Sequence, residues 1–448
     1  MGTSGGLEQS ATSVGVGIIG LGVRGLYCIG RHMAELYPET RFRVTALCDR
    51  NAARMAEARD VLVGAYAGQG VQISPNLYGR TGTVRDGLDL IGASEVDLVV
   101  ITSITDAHRQ FAVPALHSGK KVYCDKPLAQ NVEDAVAIVE AEAQAGNPLI
   151  MGFTRRYEAV WNRAYELLHD GVIGDLVMLQ VRDVIPYHRY LTAWWRRREW
   201  SGGALNDKGC HLFDVFNWFA GSRALRVHGF GGRSVVEPEP AAPPRCSECD
   251  RECPYRRRSK NSAAFDILPH FGPSWLEEVE EKYMDDVCVY APGSDVYHNG
   301  SIHFAYQNGV IASYFYTIFG PPADDQETME LVGTRGRIIL TRRTGALDVV
   351  ADIDHASGDY GASHEVIDCR DEHFEGSHFG ADVALIRELR RFCDGAPPAV
   401  GARAGLEATR MVMAALRSMD GGGVTVEMED IPSYETGFFP KNLVSSGD

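Results

Sequence analysis

Six residues near the start of the chain, Gly20-Leu21-Gly22-Val23-Arg24-Gly25, constrain the fold more than any other feature. They follow a β-rich run at 14–19 and open a segment at 23–36 whose pattern predicts a helix. Each glycine has a reason in such a strand–turn–helix unit. Gly20 permits the tight turn, Gly22 lets the backbone approach a pyrophosphate, and Gly25 lets helix and strand pack closely. The first N–H groups of the helix, at Val23 and Arg24, and its positive dipole end suit phosphate. Asp49 ends a second β-rich run at 42–48, roughly the 20 residues on at which a carboxylate meets the adenosine ribose hydroxyls. The unit therefore predicts dinucleotide binding. Asp49 favours NAD because its charge repels a 2′-phosphate, and Arg50 and Arg54 beside it leave NADP open.

Further strands and helices alternate through the first third. Residues 96–102 form a continuous apolar run, the mark of a strand buried on both faces. A helical stretch at 107–118 stops at Gly119, and 121–124 is another short strand. Such alternation implies an α/β Rossmann domain with a doubly wound parallel sheet. The pattern changes after about residue 150. A helix at 157–169, a strand at 176–184 and a helix at 205–219 follow. Asn308-Gly309 between β-rich runs at 301–306 and 310–316 predicts a hairpin, and 329–332 with 337–341 predicts another. Residues 379–419 read as two helices broken near 395–398. The second domain is thus expected to be α+β with a large, mostly antiparallel sheet. At 448 residues the chain is too long for one ordinary core. We divide it into a disordered leader at 1–13, a nucleotide domain at 14–128, and a substrate and oligomerisation domain at 129–448. A cysteine-rich insertion occupies about 234–290.

A net charge of −16 argues against a nucleic-acid partner. No run of about 18 apolar residues predicts a membrane span. The first residues lack the basic and apolar stretches of a secretory signal, so a cytoplasmic location is expected, and with it no disulfide framework. Most of the ten cysteines stand singly as expected buried thiols. Cys246, Cys249 and Cys253 are the exception. Three thiolates within eight residues fit a knuckle around a structural tetrahedral zinc, which needs a fourth ligand; His270 is one weak candidate.

Three groups carry proton chemistry. Lys126 lies just past a strand's carboxyl end, where open α/β sheets bind ligands. Asp207, His211 and Asp214 fall at i, i+4 and i+7 of the helix at 205–219, on one face within a wedge of roughly 60°. His211 suits a general base. Asp207 would orient it or bind a substrate hydroxyl, and Asp214 would fix its tautomer. Arg155 and Arg156 follow a strand end, one facing the site and the other structural. Tyr187, His188 and Trp195 offer aromatic faces that suit sugar rings, and equally suit a core or an interface.

The order of these pieces resembles the glucose–fructose oxidoreductase, inositol dehydrogenase and rhizopine-catabolism (Gfo/Idh/MocA) family over almost the whole chain. The resemblance rests on the glycine motif, on 96–127 ending in Cys124-Asp125-Lys126-Pro127, and on Gly152-Phe153-Thr154-Arg155-Arg156-Tyr157. It continues through 202–211, 378–382 and Gly405-Leu406-Glu407-Ala408. Two departures stand out: the usual Glu-Lys-Pro is Asp125-Lys126-Pro127, and Thr102-Ser103 stands where Thr-Pro or Thr-Asn is usual. The resemblance implies cofactor contacts from Thr102, Ser103, His108, Asp125 and Lys126. It implies substrate contacts from Lys126, Asp207, His211 and Lys208, with Arg155, Tyr187 and Trp195 beside them. It supplies Cys288, in Cys-Val-Tyr, as the fourth zinc ligand, and implies a homo-oligomer, dimer or tetramer, built on the second sheet. The activity it implies is NAD(P)-dependent hydride transfer at a secondary alcohol of a sugar, sugar acid or cyclitol. Two other readings share the motif: a redox-assisted glycosidase or lyase, and a non-catalytic dinucleotide sensor, which would not need Lys126 and His211.

Overall fold

The computed structural model describes residues 12–186, 188–255, 287–358 and 362–434. Six parallel strands form the first sheet: β1 (Val14–Ile19), β2 (Phe42–Cys48), β3 (Asn76–Tyr78), β4 (Leu98–Ile101), β5 (Lys121–Cys124) and β6 (Leu149–Met151), in the order β3-β2-β1-β4-β5-β6. This is a doubly wound order, with its reversal between β1 and β4. Every residue of β4 is buried, because helices cover both faces. One face packs Leu26, Ile29 and Met33 with Leu62 and Tyr66 of helix Ala52–Gly68. The other carries helices Val84–Ile91, His108–His117 and Val132–Ala145. Asn51 and Asn131 cap two of these helices through their side-chain oxygens.

The parallel sheet extends past residue 128, where the sequence pattern suggested a boundary, because β6 pairs with β5. The chain also returns to this sheet near its end. Leu385, Ile386, Leu389 and Phe392 of helix Ala381–Cys393 complete the core beside Val16 and Ile18.

Nine strands form the second sheet: β7 (Leu176–Val184), β8 (Ala224–Gly232), β9 (Asn299–Tyr306), β10 (Ile311–Thr317), β11 (Glu327–Gly333), β12 (Arg337–Thr341), β13 (Ala346–Ala351), β14 (Ser363–Asp368) and β15 (Val426–Glu427). Their order is β14-β13-β12-β11-β7-β10-β9-β8-β15. Among the described residues, only β7 and β10 of this sheet pair in parallel. Both expected hairpins form, and Gly309 turns the first with φ +89°. The inner face buries Leu179, Val181, Ala312, Tyr314, Met329 and Leu331 under the helix Cys210–Ala220. The outer face leaves two apolar rows. Val332, Met178 and Ile311 are register neighbours, and Phe315 and Phe230 flank Ser301. No helix among the described residues is long and apolar enough to cross a membrane.

Candidate active site

The glycine motif sits at the carboxyl end of β1, beside the reversal in strand order. Gly20 has φ +92°, and a Cβ there would stand 2.5 Å from the Ser103 nitrogen. A Cβ on Gly25 would stand 2.1 Å from the Gly20 oxygen. These are the turn and the close packing that the motif demands. The segment Val23–Gly30 winds as a π-helix, and Gly22, its N-cap, offers no side-chain cap. The first-turn N–H groups therefore have no side-chain competitor for a phosphate. Asp49 is buried at the end of β2 and accepts from the Leu21 nitrogen at 2.8 Å and the Asn51 nitrogen at 2.9 Å. It holds the motif loop in shape, and Arg54 stands 3.4 Å away. Arg50 is exposed beside it. This cradle fits a dinucleotide.

Several residues expected at the cofactor have other work. Arg24 does not offer its guanidinium to phosphate. It pairs with Asp125 at 3.2 Å, donates to the Tyr123 hydroxyl at 3.0 Å and pairs with Asp382. Asp125 also accepts from Tyr123 at 2.8 Å. The network ties the motif helix to the end of β5 and to the returning helix Ala381–Cys393. His108 is 1% exposed, with its ring nitrogens 2.9 Å from the Pro127 oxygen and 3.1 Å from the Ser103 oxygen. It fastens two crevice loops together and presents no edge to a ligand. Thr102 donates to the Gly20 oxygen at 2.7 Å, so it braces the glycine turn. Ser103 is half-buried beside it, its hydroxyl 3.5 Å from the Ile104 oxygen.

Across the crevice, Lys126 donates to the Asp207 backbone oxygen at 2.8 Å and to its carboxylate at 3.0 Å. The Tyr190 hydroxyl donates to the other carboxylate oxygen at 2.5 Å. Burial works against the charge on Lys126, but Asp207, Cys210 and Asp125 together outweigh it and raise the pKa. Lys126 is thus a cation throughout the ordinary pH range. Asp207 lies in a π-helical turn, Leu205–Gly209, that leads into the helix Cys210–Ala220. The wider turn breaks the single row expected from α-helical spacing. Asp214, on the regular α-helix with His211, does not hold it, because Arg156 takes its carboxylate in a bidentate pair, at 2.8 and 2.9 Å.

His211 is buried under the Phe153 ring, 5.8 Å between centroids, and its Nδ1 has no hydrogen-bond partner among the described residues. Burial and then the positive charges of Arg155, Lys126, Lys208 and Arg342 push its pKa well below the usual value. It is neutral at physiological pH. Of those charges, all but Lys126 belong to a buried ion-pair network. Arg155 makes a bidentate pair with Glu327, both bonds 2.8 Å. Lys208 donates to Glu327 at 3.0 Å, and Arg342 reaches Glu158 at 2.7 Å and Glu327 at 3.3 Å. Burial raises the Glu327 pKa, but Arg155, Arg342 and Lys208 outweigh it and hold the group ionised. Burial pushes Asp183, hydrogen-bonded by Tyr314, up to about 6. Arg155 and Lys208, expected at the substrate, are therefore interior partners of Glu327.

Trp195 stacks on Trp194 at 3.9 Å and meets Tyr190 edge-on at 5.8 Å, so it walls the crevice by holding Tyr190. Tyr187 and His270 lie outside the described residues. Tyr190 and Glu327 were not foreseen. Glu327 has a legible signal: it shares the inward parity of Met329 and Leu331 on β11, and an acid at a core parity needs a buried partner. Among the described residues, one set of three metal-type donor atoms lies within 4.8 Å: Cys28, His378 and Asp382. Asp382 is already engaged by Arg24 and by His378 at 2.8 Å.

The parallel sheet, glycine cradle and facing Lys–Asp–His group define a dinucleotide-binding oxidoreductase. The chain belongs to the Gfo/Idh/MocA family. Residues 14–153 match the family's NAD-binding Rossmann domain and 161–339 match its C-terminal domain. A Bacillus subtilis protein described as an oxidoreductase, YteT, is 26% identical over 67% of this chain and 70% of its own length. Inositol 2-dehydrogenase 3 of Saccharopolyspora erythraea is 33% identical over 46% of this chain; the match spans 53% of that enzyme. An oxidoreductase domain protein from Kribbella flavida shares the fold with a TM-score of 0.70 at 21% identity, covering 94% of this chain and all of that one. Levoglucosan dehydrogenase in complex with NADH and levoglucosan gives a TM-score of 0.68 at 16% identity, covering 93% of this chain and all of that one.

Proposed function

We propose that the protein is an NAD-dependent dehydrogenase that oxidises a secondary alcohol in a sugar, sugar acid or cyclitol. One observation carries this reading: a neutral, buried His211, whose Nδ1 has no hydrogen-bond partner among the described residues, lies close enough to the cationic Lys126 to feel its charge. An alcohol losing hydride must also lose its hydroxyl proton. His211 takes that proton, and Lys126 stabilises the oxygen as negative charge develops on it. Asp207, gripped by Lys126 and Tyr190, fixes the ammonium and offers an acceptor to a neighbouring substrate hydroxyl. Bound nicotinamide supplies the hydride acceptor. The named relatives above include enzymes of inositol and levoglucosan, which supports a polyhydroxylated substrate. Asp49 supports NAD over NADP, while Arg54 reduces the contrast.

The test is a screen of sugars, sugar acids and cyclitols, followed through the near-ultraviolet absorbance of NADH. Substrate-dependent NADH formation that vanishes in Lys126→Ala and His211→Ala is the expected result. Tight NADH binding without net turnover, together with cleavage of a chromogenic glycoside, would replace this reading with the redox-assisted glycosidase. In the same proposal, the chain forms a homo-oligomer through the two apolar rows outside the second sheet. Phe230 is 59% and Phe315 49% exposed there, and large apolar side chains grouped on one sheet face are what a subunit contact covers. Light scattering on Phe315→Asp would show a smaller species than the parent.

A further inference from the structure

The cysteine-rich insertion is not used by this chemistry. Cys246–Glu248 form a single helical turn, and the Cys249 nitrogen donates back to the Cys246 oxygen at 3.3 Å. The Cys246-x2-Cys249 pair thus sits on one tight knuckle. A bridge between Arg245 and Val287, with the Cys288 nitrogen donating to the Pro244 oxygen at 2.9 Å, brings a distant segment alongside. As a result Cys246, Cys249, Cys253 and Cys288 all line one cavity of about 170 Å³, with Arg251 on its rim. No disulfide links any of them. Cys246 and Cys288 are buried, and Cys249 and Cys253 are half-buried.

We propose that these four thiols bind one structural zinc ion. Four converging cysteines are the donor set that closes a tetrahedral zinc site with no open position. Two thiolate pairs on one divalent ion leave a net charge of about −2; Arg251, paired with Glu239, is the cation on the cavity wall. No three of the sulfurs lie within 4.8 Å of one another, so the site closes by rotation about the cysteine χ1 bonds, with loss of the thiol protons. The site has a structural purpose. Val236 and Val289 flank the cluster and pack in one small core with Tyr190, the residue that grips Asp207. Zinc staples the outer wall of the crevice at the place where Tyr190 is seated.

The full chain, purified without added zinc and dialysed against a weak chelator, is measured by elemental analysis. About one zinc per chain is expected, released in step with mercurial titration of the thiols. Cobalt substitution should give the intense visible bands of tetrahedral thiolate coordination. Cys249→Ser should lose the metal while keeping NADH binding; should that variant fail to fold, the cobalt spectrum of the parent protein decides alone. Substoichiometric zinc, iron with acid-labile sulfide, or a cobalt spectrum without thiolate character would each overturn the proposal. None of these readouts depends on which alcohol the enzyme oxidises.

Discussion

At the scale of single residues, the site works by setting two protonation states in opposite directions. His211 is kept neutral by burial and by the cations around it, while Lys126 is kept charged by Asp207. The free enzyme's kcat/KM should therefore stay level across the neutral range. Its acid limb should fall well below pH 6.5, the ordinary histidine value, and its alkaline limb above pH 10.5. An acid limb centred on the ordinary histidine value would remove His211 as the base. Stability carries the same asymmetry. A depressed histidine pKa means that the unfolded chain binds more protons as pH falls, so stability present above about pH 6.5 is lost below it. His298, pushed down to about 4 chiefly by burial, and His108 add with the same sign. Urea midpoints measured from neutral pH toward acid should decline, and less steeply in His211→Asn. Tyr190→Phe removes one hydrogen bond to a carboxylate, an interaction worth about 1.5–3 kcal/mol. A fall in kcat/KM of roughly ten- to a hundredfold, with NADH affinity unchanged, is expected.

At the scale of elements, the functional segments are those that depart from ideal geometry. The motif helix and the turn bearing Asp207 are both π-wound, a form concentrated at functional sites. Gly25→Ala tests how tight the first must be. Its methyl group would meet the Gly20 oxygen at 2.1 Å, so the helix must back away from β1 and carry its N–H groups off the phosphate. A loss of NADH affinity of roughly five- to a hundredfold by fluorescence titration is expected, since about 1–3 kcal/mol is the usual cost of overpacking. The same departures mark where the sequence could be read and where it could not. The glycine motif, β2, β5 and β7 were legible to the residue because their β-rich runs, and for β5 and β7 the glycines before them, are local signals. The partners of Arg24, Arg155 and Lys208 were not, because each lies across a long loop: Asp382 is 358 positions from Arg24, and Glu327 is 119 from Lys208. A cation near a ligand site and a cation inside a buried ion pair look alike in one dimension. The π-turn likewise took Asp207 out of the row with His211, since that row assumed 3.6 residues per turn, and Asp214 was claimed by the distant Arg156.

At the scale of the whole molecule, the nucleotide domain is not independent of the chain that follows it. Helix Ala381–Cys393 covers Val16, Ile18 and Leu98 of the first sheet with Leu385, Ile386, Leu389 and Phe392. Its first turn also presents Asp382 to Arg24 of the glycine motif. The return of the chain thus completes both the core and the brace of the cofactor cradle. Each of those apolar side chains is fully buried, so Leu389→Ala should cost about 2–5 kcal/mol. It should also loosen the motif, because the helix that carries Leu389 carries Asp382. Calorimetry would then show a lower unfolding temperature in the apo protein and a smaller rise than in the parent when NADH is added, since a loosened cradle binds the ligand more weakly and the gain follows its affinity. A fragment ending at residue 153 leaves this apolar face open to water. It should aggregate or bind a hydrophobic dye, and a fusion that restores 381–393 should suppress both. A soluble, cooperative fragment that binds NADH as tightly as the full chain would show instead that the returning helix is only a passenger on the nucleotide domain.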